Sequence, residues 1–291
     1  MPGDGRFSLG TLRVQFEVYS GTGNRFLLTE SVRVLPWAGE LAPRLCQPGL
    51  VGEQGVDGLL VLDGPLADRP RMTIFNADGS RPEACGNGLR CVGWHLARQG
   101  EGERFFVQTD SGPRSIHLKR RGKVEAELYT DMGPVTLAPL DPPWPRVPGL
   151  RDAFAVNVGN PHAVLLVDDE RELPAGSIAQ GMERHPTFPR GVNLGLLAQR
   201  DGSWRLRVHE RGVGETSACG TGACAAVAVL AQLGRALAVG DTTIEMRGGP
   251  LSVGLGPMGK LELLGAATYL GSFLPPEELF EGLPWASCFR S

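Results

Sequence analysis

Ala84-Cys85-Gly86-Asn87-Gly88-Leu89-Arg90-Cys91 and Ala218-Cys219-Gly220-Thr221-Gly222-Ala223-Cys224 are two copies of one pattern, A-C-G-x-G, each running straight into helix-forming residues. Their leading cysteines lie 134 residues apart in a chain of 291. Self-similarity at about half the chain predicts two related domains that face each other and share a cleft. The apolar spacing places helices at about Asn87–Arg98 and Thr221–Leu233, the second apolar nearly all round and therefore buried. Strand-like alternation falls at 12–18, 59–63, 72–75, 105–109, 124–130, 154–158, 163–167, 204–210 and 242–246. A proline-rich stretch from Met132 to Gly149 reads as the connection between the halves.

The chemistry of C-G-x-G at a helix start follows from the backbone. The first turn carries unpaired N–H groups and the positive end of the dipole. Glycines let an anion approach that backbone, so the turn suits a carboxylate or phosphate. A cysteine there is expected to have its thiolate stabilised. Two such cysteines on opposite sides of one carbon supply the base and the acid that inversion of a stereocentre requires. One must be thiolate and the other thiol, and the two titrate as a coupled pair. A cysteine at a helix start is also often only a small apolar residue. That reading suits Cys91, Cys224 and the tail residue Cys288.

Composition narrows the field. A net charge of −3 gives no electrostatic case for nucleic acid or an anionic membrane. No N-terminal export segment and no membrane-length apolar run are visible, so a cytoplasmic location is expected. The six cysteines are then reduced, and none is paired at C-x2-C spacing, which argues against structural zinc and against thiol–disulfide exchange. Only Lys119, Lys123 and Lys260 are lysines, all read into turns, which leaves no Schiff-base candidate for a pyridoxal cofactor.

Phe75-Asn76-Ala77-Asp78-Gly79-Ser80 with Cys85-Gly86-Asn87-Gly88, and Glu210-Arg211-Gly212-Val213-Gly214-Glu215-Thr216 with Ala218-Cys219-Gly220-Thr221-Gly222, closely resemble the two signatures of bacterial diaminopimelate epimerases. Shorter matches follow in order at Gly21-Thr22-Gly23-Asn24, Gly55-Val56-Asp57-Gly58, Gly159-Asn160-Pro161-His162 and Gly191-Val192-Asn193. The resemblance implies an α+β fold of two pseudo-symmetric domains, each a β-barrel-like sheet wrapped around a central helix. They would span 1–130 with 266–291, and 131–265, the last strand near Thr268–Leu274 returning to the first domain. It also implies interconversion of LL- and meso-diaminopimelate, on the route to lysine and peptidoglycan, without cofactor or metal, by a homodimer.

Site roles transfer residue by residue. Cys85 and Cys219 would be the acid–base pair. Asn24, Asn76, Asn160 and Asn193 would bind substrate, since amides both donate and accept. Arg211 would grip a carboxylate in bidentate fashion and Glu210 would accept from an ammonium. Alternation puts Glu210 on the same buried face as Trp204, Leu206 and Val208, where a carboxylate needs a partner. Gly86, Asn87, Gly88, Gly220 and Thr221 would contribute helix-start donors, and His162 would orient a cysteine or the substrate or serve only the turn. Ser20, Arg25 and Gly58 depart from common family residues. Two other readings stand beside this one: a proline or hydroxyproline racemase-like enzyme, which shares the paired-cysteine logic, and a non-catalytic amino-acid-binding protein.

Overall fold

The computed structural model describes residues 14–65, 69–82, 85–100, 102–142, 144–237, 240–255 and 260–283. Residues 12 and 13 of the first expected strand, Ala84, the 256–259 turn and Cys288 lie outside these. The first half contains β1 (Phe16–Gly21), β2 (Asn24–Thr29), α1 (Ala38–Leu45), β3 (Gly58–Asp63), β4 (Arg71–Asn76), α2 (Gly86–Gln99), β5 (Arg104–Thr109), β6 (Gly112–Arg121) and β7 (Glu125–Asp131). The second contains β8 (Thr136–Pro139), β9 (Leu150–Asn157), β10 (Pro161–Val167), α3 (Ala175–Met182), β11 (Asn193–Arg200), β12 (Ser203–Glu210), β13 (Gly214–Thr216), α4 (Gly220–Gln232), β14 (Asp241–Met246) and β15 (Gly249–Leu255). A long strand, β16 (Leu261–Phe273), ends the series.

The two halves repeat one topology. An antiparallel pair, β1 and β2, is followed by a parallel step to β3 across α1. β3 then pairs antiparallel with β4, and a parallel step across α2 leads to β5. The second half runs β9, β10, parallel step across α3 to β11, β12, parallel step across α4 to β14. Parallel neighbours need a crossover, and the four helices supply it. In the first half β7 pairs with β16 and β16 with β1, closing an eight-stranded barrel. The start of β16, on the edge that β1 takes further along, pairs with β15, so one strand joins both halves into a continuous sheet.

Burial explains the patterns. α2 fills the first barrel against Phe26, Leu60, Ile74, Ile116 and Leu128. α4 fills the second sheet against Val164, Leu197, Leu206 and Val208. α1 and α3 cover outer faces. β3 is therefore buried on both sides, Leu60 and Leu62 toward α2, Leu59 and Val61 toward α1.

Three expectations shift. β1 begins at Phe16, where its pairing with β16 starts, later than the alternation from residue 12 suggested, and it continues past Val18 to Gly21. The proline-rich connection carries β8, which pairs with β9 through four residues. The final strand starts at Leu261, well before Thr268, since it serves β15 before it reaches β1.

Candidate functional site

Both long helices begin in the same way. Cys85 and Cys219 sit at the N-cap with extended backbone (φ −148° and −139°). The Cys85 sulfur accepts from the Gly88 N–H at 3.2 Å and the Cys219 sulfur from the Gly222 N–H at 3.3 Å. Each sulfur thus occupies the place usually taken by a serine or aspartate oxygen, satisfying an orphan donor of the first turn.

The two helix mouths converge on one side chain of the shared strand. A Cβ on Gly86 would lie 3.2 Å from Leu263 Cδ2, and a Cβ on Gly220 only 2.6 Å from the same methyl. A side chain at Gly220 would force Leu263 to move, and one at Gly86 would crowd Leu263 and Met132. The mouths open onto a cleft of about 740 Å³, a volume suited to a small polar metabolite.

The cleft brings together the residues singled out in sequence. Asn24, Asn76, Cys85, Gly86 and Asn87 line it from the first half. Asn160, Asn193, Glu210, Arg211, Cys219, Gly220 and Thr221 line it from the second. β10 and β11 run parallel with His162 opposite Asn193, so the asparagine motifs meet at one end of neighbouring strands. Asn193 ties the wall together, donating to the Pro161 carbonyl (3.0 Å) and accepting from the Arg211 N–H (3.0 Å). Arg211 Nη1 donates to the Arg190 carbonyl at 3.2 Å. Glu210 has the partner its half-buried position demands, the Thr216 hydroxyl at 2.6 Å. Asn76 donates to Ser80 Oγ at 2.9 Å.

His162 stands behind this wall, fully buried, with Nε2 at 3.0 Å from Asn160 Oδ1 and 3.1 Å from Thr221 Oγ1. Burial, and then the Arg211 charge, push its pKa down to about 3, so the ring is neutral. Nδ1 has no partner among the described residues, so the proton belongs on Nε2 and is donated to Asn160 Oδ1. The Asn160 amide nitrogen then donates to Thr221 Oγ1 (3.4 Å), which leaves the Thr221 hydroxyl hydrogen for the Cys219 sulfur, 3.4 Å away.

The thiols depart from the sequence expectation. Burial pushes Cys219 up to about 12, aided by the Glu210 carboxylate and opposed by Thr221 and the Gly222 N–H. Cys85 is also raised by burial, but the Gly88 N–H and the Arg90 guanidinium pull it back. The helix start does stabilise each thiolate, yet desolvation in the packed cleft outweighs it. Cys91 and Cys224 are fully buried within the helices. Two residues escaped the reading. Thr216 stood in the second signature without a role, and the turn at Gly212–Gly214 folds β13 back along β12 and brings its hydroxyl to Glu210. Arg90 was given no role within its motif, and it is wholly buried. Among the described residues no group of His, Cys, Asp and Glu has a metal-binding arrangement, and no helix is long and apolar enough to cross a membrane.

The family model described as diaminopimelate epimerase matches residues 16–138 and 154–270. A protein named diaminopimelate epimerase from Halorhodospira halophila is 37% identical over 273 residues, covering 87% of this chain and 92% of the relative. Another of that name from Pseudomonas entomophila is 38% identical over 226 residues, covering 72% and 80%. Among solved structures, a predicted epimerase from Pseudomonas aeruginosa superposes with a TM-score of 0.65 at 15% identity, over 90% of this chain and 99% of its own. A hydroxyproline epimerase from Agrobacterium vitis, with bound trans-4-hydroxy-L-proline, gives 0.62 at 17%, over 94% and 93%. At such identities the structures speak to the fold, which they share.

Proposed function

Because the chain belongs to the diaminopimelate epimerase family, we propose that it interconverts LL- and meso-diaminopimelate by proton transfer between Cys85 and Cys219. The carrying observation is the pair of matched cysteine-capped helix starts that meet on Leu263 over one cleft.

One cysteine, as thiolate, takes the Cα proton and becomes thiol. The electron pair left on Cα delocalises into the substrate carboxylate, where first-turn N–H groups of the two helices stabilise the added charge. The opposite cysteine gives its proton to the other face of Cα and becomes thiolate. The pair ends with its protonation states exchanged, and the reverse reaction starts from there. Desolvation raises both thiols, which strengthens the thiolate as a base toward a weakly acidic C–H.

Asn24, Asn76, Asn160 and Asn193 hold the polar ends of the substrate, Arg211 a carboxylate and Glu210 an ammonium. His162 orients Thr221 and through it Cys219. Both proton carriers are side chains, so the reaction as proposed uses no cofactor or metal. The two halves, 1–130 with 266–291 and 131–265, act as domains that close on substrate. We assign the protein to the cytoplasm as a homodimer serving lysine and peptidoglycan precursor synthesis. The fold is shared with a hydroxyproline epimerase, but Glu210, Arg211 and the four asparagines suit a longer substrate with a second charged end.

The test uses purified protein in deuterated water with LL-diaminopimelate and no additions. Deuterium should enter Cα as the meso form accumulates, and Cys85→Ala and Cys219→Ala should each abolish epimerisation. Turnover of hydroxyproline with none of diaminopimelate would overturn the substrate assignment. Substantial activity in either cysteine variant would overturn the two-thiol mechanism.

A further inference from the structure

Arg90 is the one buried arginine in the interior of either central helix. Its side chain is completely enclosed, and its guanidinium lies against β16 at Gly265, where a Cβ would sit 2.6 Å from Nε. Among the described residues no carboxylate lies within ion-pair distance, and Nε and Nη1 lack hydrogen-bond acceptors. A charge held this way is unfavourable for stability. Its contacts connect it to the cleft.

Nη2 donates to two oxygens, Thr22 Oγ1 at 3.0 Å and Asn87 Oδ1. Arginine only donates, so Asn87 must turn its oxygen toward Arg90 and its nitrogen away. That nitrogen donates to Asn24 Oδ1 at 2.6 Å. With its oxygen occupied, Asn24 is left with its amide nitrogen for the cleft that it lines. Thr22 carries the other end of the arrangement. It sits at φ +48°, an unusual conformation for a β-branched residue, in the two-residue turn between β1 and β2 that immediately precedes Asn24. The same turn abuts the first turn of α2, where a Cβ on Gly21 would lie 2.6 Å from the Asn87 carbonyl oxygen.

We propose that Arg90 is a positioning residue that holds Asn24 from both sides, through Thr22 and through Asn87, so that Asn24 presents an N–H donor to a substrate carboxylate. This rests on the epimerase reading above. The guanidinium also gives the Cys85 mouth a positive charge. The charged groups facing Cys85 are Arg90 and Glu210, of opposite effect, and the titratable groups facing Arg90 are Cys85, Cys91 and Cys224. Cys219 faces Glu210 with no such compensation, so the charge of Arg90 acts on Cys85 and not on Cys219.

The experiment compares Arg90→Met, Arg90→Lys and Thr22→Ala with the parent enzyme. The readouts are kcat and KM for LL-diaminopimelate, thermal unfolding, and the pH dependence of iodoacetamide alkylation at Cys85 and Cys219, resolved by peptide mass spectrometry. Arg90→Met should raise KM at least tenfold and move the Cys85 alkylation profile to higher pH, leaving Cys219 in place. Arg90→Lys, a donor-only cation, should restore the Cys85 profile and part of KM. Thr22→Ala should raise KM severalfold with kcat little changed. A folded Arg90→Met protein with parental KM and Cys85 profile would overturn the proposal, as would a loss confined to kcat. If Arg90→Met does not fold, parental KM in Thr22→Ala overturns it instead. Failure of the parent to turn over diaminopimelate would strike the underlying reading, and the alkylation profiles would still decide the electrostatic role of Arg90.

Discussion

Replacing Thr221 by valine removes one hydroxyl and keeps the branched shape. In the structure that hydroxyl lies 3.4 Å from the Cys219 sulfur, 3.1 Å from His162 Nε2 and 3.4 Å from Asn160 Nδ2. His162 and Asn160 remain bonded to each other at 3.0 Å, so the fold loses little beyond one neutral hydrogen bond, about 1 kcal/mol. The sulfur loses a donor whose importance grows when the sulfur is charged. A bond to an ionised group contributes about 1.5–3 kcal/mol, which predicts a fall in kcat of roughly 10- to 150-fold. KM should change far less, because the hydroxyl acts on the sulfur more than on bound substrate. The assay is initial-rate epimerisation with deuterium wash-in, alongside thermal unfolding to verify the fold. Thr221→Ser should recover most of the rate. A valine variant within about threefold of the parent in kcat, or a serine variant no better than the valine one, would refute the chain of donors from His162 to Cys219.

Three further outcomes follow from the same geometry. Gly220→Ala should be worse than Gly86→Ala in both stability and rate, since its Cβ meets Leu263 Cδ2 at 2.6 Å, against 3.2 Å for Gly86. Overpacking of this kind costs about 1–3 kcal/mol. Adding Leu263→Ala should return part of the loss, and no rescue would argue that the clash lies elsewhere. Unfolded His162 would take a proton near its ordinary 6.5, whereas the folded residue resists until about 3. Its contribution to stability is therefore complete above pH 6.5 and is lost as the pH falls toward 3. His162→Gln should flatten the fall in unfolding temperature over that window, and an unchanged slope would contradict the assignment. With Cys219 pushed up to about 12, its alkylation rate in the free enzyme should still be rising well above pH 9, and a plateau below pH 9 would show that burial does not control it.

The site was easier to read in the sequence than the fold around it. Cys85, Cys219 and the asparagine motifs stand out because their spacing is imposed by a helix start or a tight turn, both local events. The strands that escaped notice were those whose burial is not local. β11 has Leu194, Leu196 and Ala198 toward α3 and Leu197 toward α4, so it shows a continuous apolar run and no alternation. α1 carries Pro43 inside eight residues, which masks its helical pattern, yet Leu41 and Leu45 are wholly buried against the outer face of the first barrel. Arg90 was hidden for a related reason. A charged residue on a helix is ordinarily a solvated one, and only the three-dimensional enclosure of α2 makes it otherwise. The thiol pKa direction also eluded local reasoning, because the helix start is visible in the sequence and burial in the folded chain is not.

The shared strand carries a consequence for how the protein is made. β16 is the last of the described strands, and it closes the first barrel between β7 and β1 while also bordering β15. On the ribosome, β1 to β7 exist long before their closing partner. At synthesis rates of 5–20 residues per second, the edges of β1 and β7 wait on the order of ten seconds for it. During that interval both present unpaired backbone beside an unsealed apolar interior, the condition that invites pairing with other chains. The first half is thus born first and finished last, and a chain that stops before Leu261 leaves the first barrel open and one edge of β15 unpaired.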